Sequence, residues 1–443
     1  DRLAIGLVGG VGAGELDIRT LALDSALARL SVTGRVFDFA GFDSAFPSRA
    51  RYALDFGEGG FTLEDVFPGP VAWDALSAHG RVDLEERQLI FDRLAVSLME
   101  LEGQFEGALG LSETELGLRP DIAFEGGIDG VITKDAVLAL WPVDFALGAR
   151  DWVSESILAG RLTNARLDID IPASAFEAGQ LEDDHLSLAF DFAGARVRYI
   201  SLMTPLEGLS GSAELRGASL SLEGQNGRIG DLAIDTVFVE IPRFVPRGAP
   251  ARFGGEGRGN LPDLIALLDQ PPLELAADYG IAPDELGGEG VVRFEITRPM
   301  LSHVPYEEIG FDVSGRFANA SGPTGIGDIR FENGDLSFQA EGTGMTVSGE
   351  VQVGRSRAQL EWSERFQTPE GMASTQIRIV SDADARDLEL AGIPARSFMD
   401  GRIGLDAALS GNGFDFERYV ILADLTGAAL DFPDNLWSKP RGV

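Results

Sequence analysis

The sequence predicts a mainly β fold: an elongated, curved antiparallel β-groove, taco- or solenoid-like, with a few short helices. Three observations carry this. Runs of five to eight residues alternate apolar with polar side chains, Gly, Asn and Asp turn signals separate the runs, and helical signals are sparse. Alternation of period two gives each strand one apolar face and one wet face.

The clearest runs are Leu186 to Phe192, with Leu186, Leu188, Phe190 and Phe192 on one side, and Leu167 to Ile171, with Leu167, Ile169 and Ile171 opposite Asp168 and Asp170. Val237, Val239 and Ile241 repeat the pattern, as do Ile309, Phe311 and Val313, then Ile377 and Ile379, then Ile403, Leu405, Ala407 and Leu409. Asn226-Gly227, Asn333-Gly334 and Asn412-Gly413 offer the positive φ of tight hairpins, which implies antiparallel neighbours. Strands recurring every ~10 to 15 residues are too many for one flat sheet, because beyond ~10 strands a sheet must curl, split or stack.

Three helices are expected. Thr133 caps one that runs through Val137, Leu138 and Leu140 and ends at Pro142; a second covers Arg150 to Leu158 and stops at Gly160. In the third, Asn260 is the N-cap, Pro262 suits the first turn, and Leu264, Ile265, Leu267 and Leu268 form a stripe before Pro271-Pro272. The expected division is a groove segment over 1–132, a central region over 133–250 that opens with short helices, and a continuing groove over 251–443 with a short helix near 261–270.

Composition narrows the function. The 443 residues carry 36 Lys plus Arg against 71 Asp plus Glu, a formal charge of −35, so nucleic acid and anionic headgroup surfaces would repel the chain. The absence of cysteine excludes disulfides, thiolate metal sites and Cys nucleophiles. An apolar content of 44%, with 27 Phe, argues for a folded chain. The weakly polar stretch Leu3 to Ala13 is too short to span a bilayer. The missing initiator Met and the abrupt end at Val443 suggest a segment whose anchors lie elsewhere.

Catalytic chemistry finds little support. His79, His185 and His303 are far apart, with no metal-binding spacing. Glu182, Asp183 and Asp184 before His185 could hold a hard cation, but read more simply as a solvated turn. Gly9, Gly10, Gly12 and Gly14 are followed by Glu15 with no Lys-Ser or Lys-Thr pair, and Gly208-Leu-Ser210-Gly does not make a nucleophile elbow. No enzyme activity, cofactor or metal is expected.

The stretch from Ala149 to Phe244 resembles a known arrangement. It contains Ala149-Arg150-Asp151-Trp152-Val153, Gly160-Arg161-Leu162, Leu206-Glu207-Gly208-Leu209-Ser210-Gly211, Gly227-Arg228-Ile229-Gly230 and Val239-Glu240-Ile241-Pro242. Leu430 to Pro440, with Pro433-Asp434-Asn435-Leu436 and Lys439, is similar to the same family's closing segment. These motifs resemble the AsmA-like superfamily of Gram-negative envelope proteins, in its YhdP branch. The resemblance implies a periplasmic β-groove that carries phospholipid between inner and outer membrane, bridge-like, with membrane contacts and a helical inner-membrane anchor outside this segment. Aromatic lining candidates are Phe190, Phe192, Phe311 and Phe338. Aliphatic ones are Leu188, Val237, Val239 and Ile241, with Val313, Ile377, Ile379, Leu405 and Leu409 further along. The alternative is a structural or scaffolding envelope protein that binds protein partners at an exposed strand edge.

Overall fold

Among the described residues, twenty-seven strands and a handful of short helices follow one another along the chain. The computed structural model describes residues 2–10, 14–42, 47–115, 117–143, 146–178, 182–244, 248–271, 282–301, 304–305, 308–324, 329–369, 371–390, 392–432 and 437–443. The chain divides into two units, one of residues 1–198, 206–224 and 239–249, the other of 199–205, 225–238 and 250–443.

In the first unit β1 (Arg2–Gly10), β2 (Glu15–Asp24), β3 (Ala28–Phe42) and β4 (Pro47–Phe56) pair in order. The meander continues through β7 (Ala75–Asp83), β8 (Gln88–Leu98), β9 (Leu101–Thr114) and β10 (Gly117–Asp129), and then β12 (Ile157–Ile171), β13 (Leu186–Val197) and β14 (Leu206–Arg216). Two short strands, β5 (Gly59–Phe61) and β6 (Val71–Trp73), make a ribbon on the start of β3, and β11 (Ile132–Thr133) lies on β12. Helices α1 (Lys134–Leu140), α2 (Leu147–Ser156) and α3 (Ala173–Ala178) fill the connections around β12.

Strands β15 (Ser219–Ile229) and β16 (Leu232–Ile241) follow. The second unit runs as a meander from β17 (Pro250–Asn260) through β18 (Gly287–Pro299), β19 (Gly310–Pro323), β20 (Arg330–Glu341) and β21 (Gly344–Val353). It goes on through β22 (Ser356–Arg365), β23 (Thr375–Asp384), β24 (Met399–Asn412) and β25 (Asp415–Asp424). The pair β26 (Ala428–Asp431) and β27 (Ser438–Lys439) extends the far end of β24, and helices α4 (Leu261–Leu268) and α5 (Ala385–Leu390) sit in connections. Among the described pairings all are antiparallel; β1 pairs only with β2 and β25 only with β24, so those edges are open. The mainly β, antiparallel expectation therefore holds.

Strands reach 15 residues, longer than the runs of five to eight, because the alternation is interrupted inside strands without ending them. Asn333-Gly334 is not a hairpin turn but lies within β20, where Asn333 has φ +50° and the register slips against β21. Asn226-Gly227 likewise lies within β15, with Asn226 at φ +61°. The same combination of a left-handed residue and a register slip recurs at Asp38, Asn164, Gly194 and Asn319. These are β-bulges, which bend a strand and sharpen its twist. Only Asn412-Gly413 turns a hairpin, between β24 and β25.

Thr133 caps α1 as expected, accepting the Ala136 N–H at 3.2 Å. Helix α2 ends earlier than its pattern suggests: Ile157 and Leu158 are already strand, and Gly160 lies inside β12 rather than stopping the helix. Asn260 takes the extended N-cap conformation of α4 without a side-chain bond to the helix backbone. Pro272 and the stretch Pro433–Leu436 lie outside the described residues, as do Gly12 and His303. Helices α3 and α5 were not foreseen, being too short to show a periodic stripe.

Helix α5 is pinned by Asp387, whose carboxylate accepts from the Ser356 hydroxyl at 2.6 Å and from the backbone N–H groups of Asp384 and Arg355. Partial burial alone would raise this carboxyl; the bonds from Asp384, Ser356 and Arg355 and the charge of Arg402 outweigh it and hold it below its ordinary 3.8. A depressed carboxyl stabilises the fold above its unfolded value and loses that contribution as pH falls through the folded one. Asp387→Asn should therefore lower the melting point at pH 7, by about 1 kcal/mol of stability for the weakened bonds. The gap to the parent chain, followed by circular dichroism, should close as pH drops below the ordinary carboxylate range.

Candidate functional site

Cross-strand partners in an antiparallel sheet project to the same face, so the registers trace side chains across many strands. In the first unit one row joins Ile5, Leu21, Val32, Phe56, Leu76, Val96, Gly103, Ile128 and Ala165. The parallel row joins Val36, Tyr52, Gly80, Phe91, Gly107, Phe124, Ile169 and Leu186. Here aromatic residues alternate with glycines. Phe91 lies 6.2 Å from Tyr52 and 5.5 Å from Phe124, and a Cβ on Gly107 would run into the Ala123 carbonyl oxygen and meet the Phe124 ring at 2.8 Å, so glycine lets both the neighbouring backbone and the ring come close. The Tyr52 hydroxyl donates to the Ile90 carbonyl at 2.9 Å; burial, helped by Asp92, raises its pKa to about 12.

The second unit repeats the pattern: Gly257, Val292, Gly315, Phe338, Val347, Trp362, Ile377, Leu409 and Tyr419 form one row across nine strands. The opposite face is polar along its length, with Glu256, Arg293, Ser314, Gln339, Thr346, Ser363, Gln376, Ser410 and Arg418 in the matching row. It carries exposed ion pairs such as Arg252–Glu295 at 2.9 Å and Arg378–Asp406 at 2.8 Å; in each, the guanidinium holds the carboxyl below its ordinary range. Such pairs keep the face wet more than they stabilise it. In the first unit Glu106, Glu125 and Asp168 line up on the polar face, and the hydrogen bond and charge of Glu106 raise the Glu125 carboxyl.

The predicted lining residues fall on the apolar faces. Leu188, Phe190 and Phe192 share one face of β13 with Leu167 and Leu162 as cross-strand partners, and Asp168 and Asp170 face the other way. Phe311, Val313 and Phe338 share a face, as do Ile377, Ile379, Leu405 and Leu409. On β16 the phase changes within the strand. Ile234 lies against Gly257, on the apolar side, but Phe238 lies against Gly254 and beneath the Arg252 guanidinium at 5.6 Å, on the polar side. Val237 is thereby turned to the apolar side, with Val239 and Ile241 in the same phase of the strand.

Many positions on these faces are half-buried or exposed, and others are covered, including a buried patch of Ala320, Leu336, Val351 and Ala358 against which Val347 and Ile379 pack. Helix α1 brings Ala136 and Val137 onto Leu101, Ile132, Ala165 and Phe190, and α5 with the segment after it covers Ala383, Ile403 and Leu405. Phe190 and Leu405 therefore touch packed protein, and Phe192, Ile241 and Leu409 are buried outright. Elsewhere Leu3, Ile5 and Leu7 are half or more exposed, and Val313, Phe338, Ile377 and Ile379 are only half-buried.

The other chemical candidates resolve plainly. Gly9 and Gly10 lie in β1 and Gly14 turns the β1–β2 hairpin at φ +78°. His79 is exposed on β7. Ligand atoms of Glu182, Asp184 and His185 lie within 4.8 Å of one another, but His185 Nδ1 already accepts the Glu182 N–H at 3.0 Å. None of the described helices is long and apolar enough to cross a membrane.

The family model described as YhdP protein matches residues 15–442. No curated protein and no solved structure matches the chain.

Because the chain lacks cysteine, single cysteines report the openness of the face directly. Val313→Cys and Ile377→Cys should react with a maleimide in the folded protein within about tenfold of the exposed Gln376→Cys, and Ala320→Cys at least about a hundredfold more slowly.

Proposed function

Since the chain belongs to the YhdP family, we propose that it is a non-catalytic lipid conduit or carrier of the Gram-negative cell envelope, working in the periplasm between inner and outer membrane. The observation that carries this reading is the apolar row across nine strands, backed by a polar face and, Leu409 apart, only half-buried or exposed at each position. At ~4.8 Å per strand such a row is about 40 Å long. An acyl chain, about half the ~30 Å bilayer core, would lie along only part of it.

Each methylene moved from water onto the row gains ~0.8 kcal/mol. Neighbouring positions along a row are chemically alike, so a chain displaced by one strand exchanges one set of contacts for an equivalent set. That favours sliding over trapping. The charge of −35 keeps the polar face from adhering to anionic headgroups, which leaves the apolar face as the surface lipid prefers.

A second reading, a scaffold that takes a protein strand at its edge, is favoured by β25. There Tyr419, Ile421 and Leu422 are 60%, 65% and 65% exposed, on both faces of an open edge, the kind of strand that invites pairing.

Photocrosslinking amino acids separate the two. At Val313 and Phe338 they should label phospholipid in cells, and at Gln339 and Asp168 they should not. Phe338→Asp should abolish transfer, because a buried unpaired charge is costly where lipid replaces water. Protein adducts from Ile421 with no lipid label at Val313 or Phe338 would favour the scaffold.

A further inference from the structure

Among the described residues Glu364 is the one charged side chain that is almost wholly buried, 3% exposed. The registers put it on the apolar face, in a line with Met345, Thr375 and Gly411. This line adjoins the row of Val347, Trp362, Ile377 and Leu409. The fully buried Thr375 donates its hydroxyl to Glu364 Oε2 at 2.5 Å. No ion pair among the described residues reaches the carboxylate; on the polar face of this part of the sheet Arg357 and Arg378 pair with Glu350 and Asp406.

Two residues before it, the Trp362 indole Nε1 is buried without a hydrogen-bond partner, its ring 5.5 Å from Phe414. A carboxylate can accept about four hydrogen bonds and an indole N–H must donate one. Buried in an apolar face, unused capacity of this kind is costly. The two groups stand on the same face of one strand, beside rows that offer only hydrocarbon.

We propose that Glu364, Thr375 and Trp362 form a headgroup notch for a zwitterionic, ammonium-bearing phospholipid. The assignment rests on the reading that acyl chains occupy the apolar face. The ammonium donates to the Glu364 carboxylate, and the Trp362 N–H donates to a phosphate or ester oxygen of the same lipid. A notch with one anion, one neutral donor and no cation among the described residues discriminates against anionic headgroups, which bring a second negative charge and no ammonium.

The test is competitive loading. The purified chain is incubated with vesicles of equal phosphatidylethanolamine and phosphatidylglycerol, re-isolated, and its bound lipid measured by mass spectrometry. The parent chain should hold phosphatidylethanolamine over phosphatidylglycerol by about tenfold or more, the worth of one charge-assisted bond. Glu364→Gln, nearly isosteric, should bring the ratio close to that of the vesicles by lowering the phosphatidylethanolamine bound while phosphatidylglycerol does not fall. Trp362→Phe keeps the ring and should lower the ratio severalfold; it carries the test should Glu364→Gln fail to fold. An unchanged ratio in both variants, or a parent chain that prefers phosphatidylglycerol, overturns the notch and leaves the conduit standing. A parent chain that loads no lipid overturns both.

Discussion

An antiparallel sheet has two faces, and the structure depends on one of them being apolar over more strands than its own helices can cover. In an ordinary sandwich a second sheet packs about 10 Å away and seals such a face. Here, among the described residues, short helices close one end of each unit, and a patch around Ala320, Leu336, Val351 and Ala358 is buried as well. Because partners in register project together, a single apolar position per strand is enough to make a continuous track. The polar face needs only to stay wet, which scattered Arg–carboxylate pairs and a large acidic excess accomplish.

Bulges and glycines adapt the sheet to this role. Left-handed Asn, Asp and Gly residues at register slips bend long strands without ending them. The aromatic–glycine alternation from Tyr52 to Phe124 leaves space for rings to lie across the sheet, which keeps that stretch of the apolar face smooth instead of crowded. Both lysines of the chain serve the backbone rather than the surface: Lys134 Nζ donates to the Ser154 and Ile157 carbonyls at the end of α2, and Lys439 Nζ to the Ala428 and Pro440 carbonyls.

Much of this was legible in the sequence, for a physical reason. Period-two alternation is a local property, so the faces of Leu188, Phe190, Val313 and Ile377 could be read from a few neighbours. Hairpins were less legible because Asn-Gly supplies positive φ equally to a turn and to a bulge, and only the pairing partner decides between them; Asn333 and Asn412 carry the same dipeptide with opposite outcomes. The phase change in β16 was invisible for the same reason. Which positions of the face are covered depends on tertiary contacts, those of α1 and α5 among them, that no local pattern encodes, so Phe190, Phe192, Ile241, Leu405 and Leu409 could not be told from the open positions. Glu364 left a mark, a carboxylate in the apolar phase of Leu360 and Trp362, that became meaningful only once its burial was known.

The central claim is that hydrocarbon from lipid, not protein from a second layer, completes the apolar face. Native mass spectrometry of the chain purified gently from envelope extracts tests this most directly. The account predicts discrete phospholipid adducts, lost when Phe338 is replaced by Asp. Protein that emerges free of lipid under conditions that preserve the fold would contradict it.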